Sequence, residues 1–301
     1  MLLTKEVVAS FDYFDNKVIL GVTPIKVGLC NQNYQIDYHG GTVLFRVFGD
    51  VAKAEHRGFE FQVQQVVSHL AIAPVPLVHY LVADTPLQFK QWCEAQSKPN
   101  NGVMITEFFT GKRWSDITPL SSSAICKLAQ QMHCLHNTAL SSPLDEHRDG
   151  LELLAHYWNA FHDKSLSSIE RFERIVTSLS DFSLDSDSLI HRDLNPTNIL
   201  ANADRQVIID WEFCRNGDRY VDIATIIVEL ELNARQTTLL LDSYNLSAIN
   251  KVGNDDKLHQ CQIYYLALCW LWQPMTLNQQ DSANYHAKYR EQLDHLLVAE
   301  T

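Results

Sequence analysis

Between Leu189 and Phe213, four polar residues stand where short apolar runs end. The stretch reads Leu-Ile-His-Arg-Asp-Leu-Asn-Pro-Thr-Asn-Ile-Leu, then a short polar turn region, then Val-Ile-Ile-Asp-Trp-Glu-Phe. Leu189-Ile190, Ile199-Leu200 and Val207-Ile208-Ile209 are the apolar runs; His191, Asp193, Asn198 and Asp210 are the polar residues. Rigid scaffolds present reactive side chains at such run ends. Phosphoryl transfer needs a carboxylate to orient an attacking hydroxyl and accept its proton. It also needs hard oxygen ligands for Mg2+ and a cation on the nucleotide phosphates. Asp193 suits the first role, and Asn198 and Asp210 suit the second. Taken singly, each could merely cap a turn or end a strand, since Asp and Asn favour such places. Together, as His-x-Asp-x-x-x-x-Asn with an Asp closing an apolar strand beyond it, they fit transfer of a phosphoryl group to a hydroxyl. His191 reads as a structural residue bonded to the loop backbone, and Arg192 as non-catalytic.

The elements that must position these groups change character along the chain. The first third is strand-rich: Ile25–Leu29, Asn33–Tyr38 and Thr42–Phe48 are short β-prone runs, and His39-Gly40-Gly41 marks a hairpin turn. A helix is predicted over Lys53–Leu70, with Phe59, Val63, Val66 and Leu70 at helical spacing, and Ala73-Pro74-Val75-Pro76 ends it. Asp84–Asn101 is polar and reads as a loop, and Val103–Phe108 as a further strand. After Gly111 helices take over. Ser121–Leu140 has Ile125, Leu128, Met132 and Leu135 on one face and serines 121–123 to cap it. Leu151–Phe161 and Ser167–Leu179 are further helices, and long helical patterns return from Val221 onward. The expected division is a sheet-rich part over 1–110 and a larger helical part over 111–301.

Composition narrows the partners. The formal charge is 24 − 36 = −12 and there is no basic run, which argues against nucleic acid. The acidity suits a cationic small molecule and equally serves solubility. Seven cysteines without a Cys-x-x-Cys pair argue against a disulfide framework and a zinc site. The first residues lack a signal-type apolar stretch, and no window reaches the roughly 18 apolar residues of a membrane helix. The expectation is a cytoplasmic protein with no membrane partner.

The catalytic stretch resembles the aminoglycoside phosphotransferase and choline kinase superfamily, relatives of protein kinases. Asp210-Trp211-Glu212-Phe213, Gly217-Asp218 and Asp222-Ile223-Ala224 are most similar to its choline, ethanolamine and thiamine kinase branch. In protein kinases Phe-Gly follows the metal-binding Asp and the catalytic loop carries a Lys. Here Trp211 follows Asp210, and Asn195-Pro196-Thr197 stands in the loop, which points to a small-molecule acceptor. The resemblance, with recognisable landmarks from Ile25 to Asp222, implies an α+β, two-lobed protein-kinase-like fold with ATP and Mg2+ as cofactors. It implies that Arg46, in Val43–Gly49, holds the α- and β-phosphates, a task its planar fork can serve. Its helix partner is then Glu60, with Glu55 as the rival. The phosphate loop falls at Gly28–Tyr34, with Asn31 in it, and the adenine hinge at Thr106-Glu107-Phe108-Phe109.

The resemblance also places the acceptor pocket in the helical part beside Asp193. Candidate lining residues are Trp211, Glu212, Asp222, Trp270 and Trp272, with Glu229, Glu231, Tyr264 and Tyr265 nearby. Carboxylates with aromatic faces bind organic cations, so the implied acceptor is a small, cationic alcohol. Choline leads, with thiamine, ethanolamine and an aminoglycoside as alternatives. Trp270 and Trp272 lie two apart, so on a helix they point in different directions and at most one can line the pocket. The same aromatics would serve as ordinary helix core. Two other readings are a nucleotide-binding module without turnover, and a hydrolase using Asp193 or Asp210.

Overall fold

The computed structural model describes residues 2–25, 31–49, 54–117, 119–140, 149–246, 252–272 and 279–298, excepting the side chains of 54–56 and 279–282. In chain order its elements begin with α1 (Lys5–Ala9), β1 (Ile19–Ile25), β2 (Gln32–Tyr38), β3 (Gly41–Val47), α2 (Ala54–His69), β4 (Pro76–Tyr80), α3 (Leu87–Glu94), β5 (Val103–Glu107) and β6 (Lys112–Arg113). Next come α4 (Ser122–His136), α5 (Gly150–Ala160), α6 (Leu166–Ser178), β7 (Ser188–Ile190), β8 (Ile199–Ala201), β9 (Gln206–Ile208) and β10 (Arg215–Gly217). The chain ends in α7 (Arg219–Glu229), α8 (Ala234–Asn245), α9 (Asp255–Leu271) and α10 (Gln279–Val298). These elements form two compact units. The first holds Met1–Arg113 with Ile199–Phe213, and the second holds Trp114–Asn198 with Cys214–Thr301.

In the first unit, alternation along β3 sends Val43, Phe45 and Val47 into a core with Tyr34, Ile36, Val103 and Ile105, while Arg46 faces the other way. The sheet order is β1-β2-β3-β5-β4, antiparallel throughout. The β2–β3 hairpin turns where the sequence marks it, with Gly40 at φ 115°, a backbone region that glycine enters without steric cost. Helix α2 buries Phe59, Val63 and Val67, so its apolar stripe runs at four-residue steps. Leu70, expected on that face, is exposed. Residues 26–29 of the first predicted strand, and 28–30 of the predicted phosphate loop, lie outside the described residues, as does the side chain of Glu55.

The segment Asp84–Asn101 is corrected from loop to a structure with a helix at its centre. Helix α3 drives Phe89, Trp92 and Cys93 into the first core. Phe89 stacks on Trp92 at 5.5 Å and meets Phe11 edge-on at 5.3 Å. Three apolar residues at i, i+3 and i+4 outweigh the polar flanks. A second small sheet, β6-β8-β9, carries the chain to Asp210. The Ile208 amide fixes it to the turn after α2 by donating to the Ile72 carbonyl at 2.7 Å.

The second unit is helical around α7 and α9. Helix α7 is buried from Val221 to Val228, as a central helix must be. Its core includes Leu154, Phe161, Ile175, Ile263, Leu266, Trp270 and Leu293. Side-chain caps fix the helix starts: Ser121 for α4, Asp149 for α5, Asp218 for α7 and Asn254 for α9, with Asn233 and Gln236 forming a capping box at α8. Strands β7 and β10 pair antiparallel. A Cβ on Gly217 would lie 2.4 Å from Ile190 Cδ1, so a larger residue there would have to displace the Ile190 side chain. No disulfide joins cysteines among the described residues, and no helix there is long and apolar enough to cross a membrane.

Candidate active site

In the second unit, β7 ends at Ile190 and the chain turns sharply through His191-Arg192-Asp193. Arg192 adopts φ 69°, a left-handed conformation that an arginine keeps only when its surroundings impose it. The imposing group is Asp222 on α7. Its Oδ2 accepts from the His191 amide at 2.8 Å and its Oδ1 from the Arg192 amide at 2.8 Å. Asp222 is wholly buried, and His136 of α4 bonds to it through Nε2 at 3.1 Å and to the Tyr244 hydroxyl through Nδ1 at 2.9 Å. Burial would raise this carboxyl, but His136 and the loop amides outweigh it and hold Asp222 below the usual range. The expectation that Asp222 lines a substrate pocket is therefore corrected: both of its oxygens are spent on the loop. His191 is buried, and its Nδ1 accepts from the Asp193 amide at 3.3 Å, a structural role as expected.

Asp193 is fixed from both sides. Asn195 Nδ2 donates to its Oδ1 at 2.9 Å, and Asn198 Nδ2 donates to its Oδ2 at 2.8 Å and to its carbonyl at 2.9 Å. A carboxylate so oriented can accept a proton without first reorganising. Because the Asn198 amide nitrogen is committed to Asp193, its amide oxygen points the other way, as a metal ligand's would. Sequence reasoning did not anticipate the part played by Asn195, although its place beside Pro196 in the loop was visible.

In the first unit a second cluster forms around Arg46. Its Nη1 donates to Glu60 at 2.8 Å and to Asp210 at 3.2 Å, and its Nε to Asn33 at 3.3 Å. Glu60 pairs with Arg46, and the side chain of its rival Glu55 lies outside the described residues. Asp210 sits at φ 68° just past β9, with its side chain about 29% exposed, the most open of the cluster's carboxylates. Burial opposes the charge of Arg46, but Asp210, Glu60 and Glu212 reverse the effect and raise its pKa. Glu60 is pushed up to about 7, first by burial, with Arg46 only partly offsetting it. Asp210 and Glu212 add to the effect of burial, and Arg57 joins Arg46 in opposing it.

Arg57 was missed by sequence reasoning. It is buried on α2, its guanidinium lies 4.3 Å from the Phe48 ring centre, and it closes a ring of hydrogen bonds. Nη1 donates to Glu212 Oε2 at 3.3 Å and Nη2 to the Gly49 carbonyl at 3.1 Å. Asn31 completes the ring, donating to Glu212 Oε2 at 3.3 Å and accepting from the Gly49 amide at 3.1 Å. Glu212 is thus corrected from substrate residue to anchor. Trp211 is corrected likewise: it is buried, and its ring nitrogen folds back on the Ile208 carbonyl at 3.1 Å. At the predicted hinge, the Glu107 amide is already bonded to Val75 O at 2.7 Å, and its carboxylate accepts from Val75 N at 3.1 Å and Arg205 at 2.7 Å. Glu107 is therefore a brace in the sheet. Phe108 follows it, half-buried.

The aromatic residues divide. Trp270 is corrected to core: Phe161 meets it at 5.0 Å and Trp158 at 6.2 Å. Trp272, at the end of α9, is half-buried and lies 5.7 Å from the Tyr285 ring. Tyr285 in turn lies 4.7 Å from Tyr289. Glu229, at the end of α7, accepts from the hydroxyls of Tyr265 at 2.9 Å and Tyr289 at 2.8 Å, with Lys288 at 3.6 Å. Burial, then Cys269 and Glu229, drive the Tyr265 phenol far upward. Tyr285 and Tyr289 went unremarked in the sequence, although their i, i+4 spacing puts them on one face of α10.

No group of three or more His, Cys, Asp or Glu among the described residues forms a metal cage. The donors present suit Mg2+ instead, which binds through one or two protein oxygens together with substrate phosphates. Asn198, with its amide oxygen turned away from Asp193, and Asp210, with its partly open carboxylate, fit that chemistry.

The sequence pattern of the phosphotransferase enzyme family (APH) matches residues 21–247. Protein LicA of Haemophilus influenzae is 28% identical over 153 residues, covering 48% of this chain and 44% of that protein, so the match spans under half of that relative's length. The crystal structure of choline kinase LicA from Streptococcus pneumoniae superposes with a TM-score of 0.73 at 15% identity, covering 98% of this chain and 99% of that one. Aminoglycoside phosphotransferase APH(4)-Ia gives a TM-score of 0.68 at 15% identity, covering 99% and 100%. At these identities the structures establish the fold: an antiparallel sheet followed by a helical part, as choline kinase and the aminoglycoside phosphotransferases have it.

Proposed function

This chain belongs to the phosphotransferase enzyme family, and from that premise we propose that it transfers the γ-phosphoryl group of ATP to the hydroxyl of a small, cationic alcohol. The observation that carries the reading is the fixing of Asp193 by Asn195 and Asn198. A carboxylate held by amides on both oxygens is aimed and ready to take the hydroxyl proton. Asn198 and Asp210 are the Mg2+ ligands, and the ion, when bound, neutralises charge on the phosphate oxygens. Arg46, braced by Glu60, holds the α- and β-phosphates. Asn31 stands in the phosphate loop with its side chain bonded to Gly49 and Glu212. The Phe108 backbone takes the adenine.

Glu229 supports a cationic acceptor. It is a nearly buried carboxylate flanked by the phenols of Tyr265 and Tyr289, with Trp272 and Tyr285 behind them. Carboxylate and ring faces together favour an ammonium group. Choline is the first candidate, in keeping with the relatives named LicA; ethanolamine, thiamine and an aminoglycoside are the alternatives. The protein is expected to act in the cytoplasm without nucleic-acid or membrane partners. The test is an ATP-consumption screen over these four acceptors with Mg2+. Acceptor-dependent ADP formation with choline supports the reading, and ADP formation equal with and without every acceptor contradicts it. Mg·ATP binding without turnover would favour the nucleotide-binding module.

A further inference from the structure

One carboxylate in the second unit stands outside the roles above. Asp149 precedes α5 and caps it, accepting from the Gly150 amide at 3.1 Å. Its Oδ2 also accepts from Arg215 of β10 at 2.6 Å, and its Oδ1 from the Tyr264 hydroxyl of α9 at 2.6 Å and from Arg192 at 3.4 Å. Arg192 immediately precedes Asp193 and carries the left-handed backbone of the turn. Its amide is tied to Asp222. Its side chain, drawn to Asp149, is therefore the second tether on the same residue.

The electrostatics make Asp149 hard to replace. Two guanidiniums converge on one carboxylate, and Arg215 is mostly buried. Each arginine repels the other, and burial and Arg192 together lower the Arg215 pKa. Asp222 holds the backbone of this strained turn, and the countercharge of Asp149 holds the arginine side chain that it carries.

We propose that Asp149 is a positioning residue that holds the Asp193 turn in its working geometry by clamping Arg192 to Arg215 and Tyr264. This rests on Asp193 being the base. Asp149 itself touches no reacting atom. Its removal acts through Arg192, loosening the turn and lowering turnover while the Arg46 cluster, and with it ATP affinity, stays as it was.

The experiment compares parent, Asp149→Ala and Arg192→Met by kinetics and by hydrogen exchange of the 189–198 segment, with formate as the probe. In Asp149→Ala formate can restore the missing carboxylate between the two arginines. The expected result is a loss in kcat of about tenfold to a hundredfold, the scale of a misplaced catalytic group, with KM for ATP nearly unchanged. Exchange over 189–198 should quicken. Formate should reverse both effects saturably in Asp149→Ala, leave the parent unchanged and do nothing for Arg192→Met. Unchanged exchange over 189–198 in Asp149→Ala overturns the clamp, and so does a loss of kcat that formate leaves untouched. Arg192→Met, which leaves Asp149 paired with Arg215, supplies the second variant should Asp149→Ala fold poorly: parent-like exchange and kcat there overturn the clamp as well. The exchange readout stands without turnover, so an inactive parent would sink the assignment of function and not the clamp.

Discussion

Arg57 of α2 donates to Glu212 at 3.3 Å, and both side chains are almost completely buried. The pair ties the helix that carries Glu60 to the segment that carries Asp210, through a ring that also holds Asn31 and Gly49. Removing one partner leaves a buried charge uncompensated, so Arg57→Met and Glu212→Gln should each cost about 3 kcal/mol of stability or more. The double variant should cost clearly less than the sum, because neither charge is then stranded. Urea unfolding of the four proteins checks this; additive losses would show the two side chains to be independent.

Glu60 gives the first unit a pH signature. Its carboxyl ionises near 4.5 in the ordinary state and at about 7 in the folded protein, because burial disfavours its charge. The folded form thus holds a proton that the unfolded form has released. The contribution is fully present below about 4.5 and is lost as pH rises through about 7. Stability of the ligand-free protein should fall across that window, and Glu60→Gln should flatten the fall. Thermal unfolding at pH 5, 6, 7 and 8 is the measurement; the same slope in both proteins would move the titration to another group.

The Arg46–Glu60 pair was legible through the resemblance to the phosphotransferase family, which implies a basic strand residue with a helix Glu as its partner. The Leu189–Asp210 stretch was legible in the chain itself: short apolar runs fix where its polar residues fall. What escaped depended on long-range pairing. Arg57 meets Glu212 from 155 positions away, and no local pattern announces it. The acceptor candidates failed similarly, since Asp222, Trp211 and Trp270 have suitable chemistry but are consumed by internal contacts. Helix α3 was hidden because three buried residues sit among polar ones. The sequence division near residue 110 also could not show that β8, β9 and Asp210 pack with the first unit, because that membership comes from pairing with β6 and Ile72.

Glu229 should report on the acceptor alone. Its carboxylate is bonded to Tyr265 and Tyr289 in the same unit as Asp193. Glu229→Gln keeps the shape and removes the charge, so KM for a cationic acceptor should rise about tenfold or more, the worth of a hydrogen bond to a charged group. KM for ATP should stay put. Steady-state kinetics with each substrate varied in turn separates the two, and an equal rise in both would remove Glu229 from the acceptor site.

Asp210 should report on the metal. With Asp210→Ala, Arg46 keeps Glu60 at 2.8 Å, so the phosphate-binding pair survives while an oxygen ligand is lost. Affinity for Mg·ATP should fall about tenfold or more, and metal-free ATP should bind nearly as before. Isothermal titration with and without Mg2+ makes the comparison. An unchanged Mg·ATP affinity would assign the metal to other oxygens.

The central assignment is Asp193 as the base, and Asp193→Asn tests it most directly. The substitution preserves shape and the donation from Asn198 while removing proton-accepting power. Phosphorylated acceptor, identified by mass spectrometry under Mg2+ and ATP, should form at about a hundredth of the parental rate or less, with the Kd for ATP within about twofold because nucleotide binding rests on other residues. Phosphorylated product at a rate within tenfold of the parent would contradict the assignment.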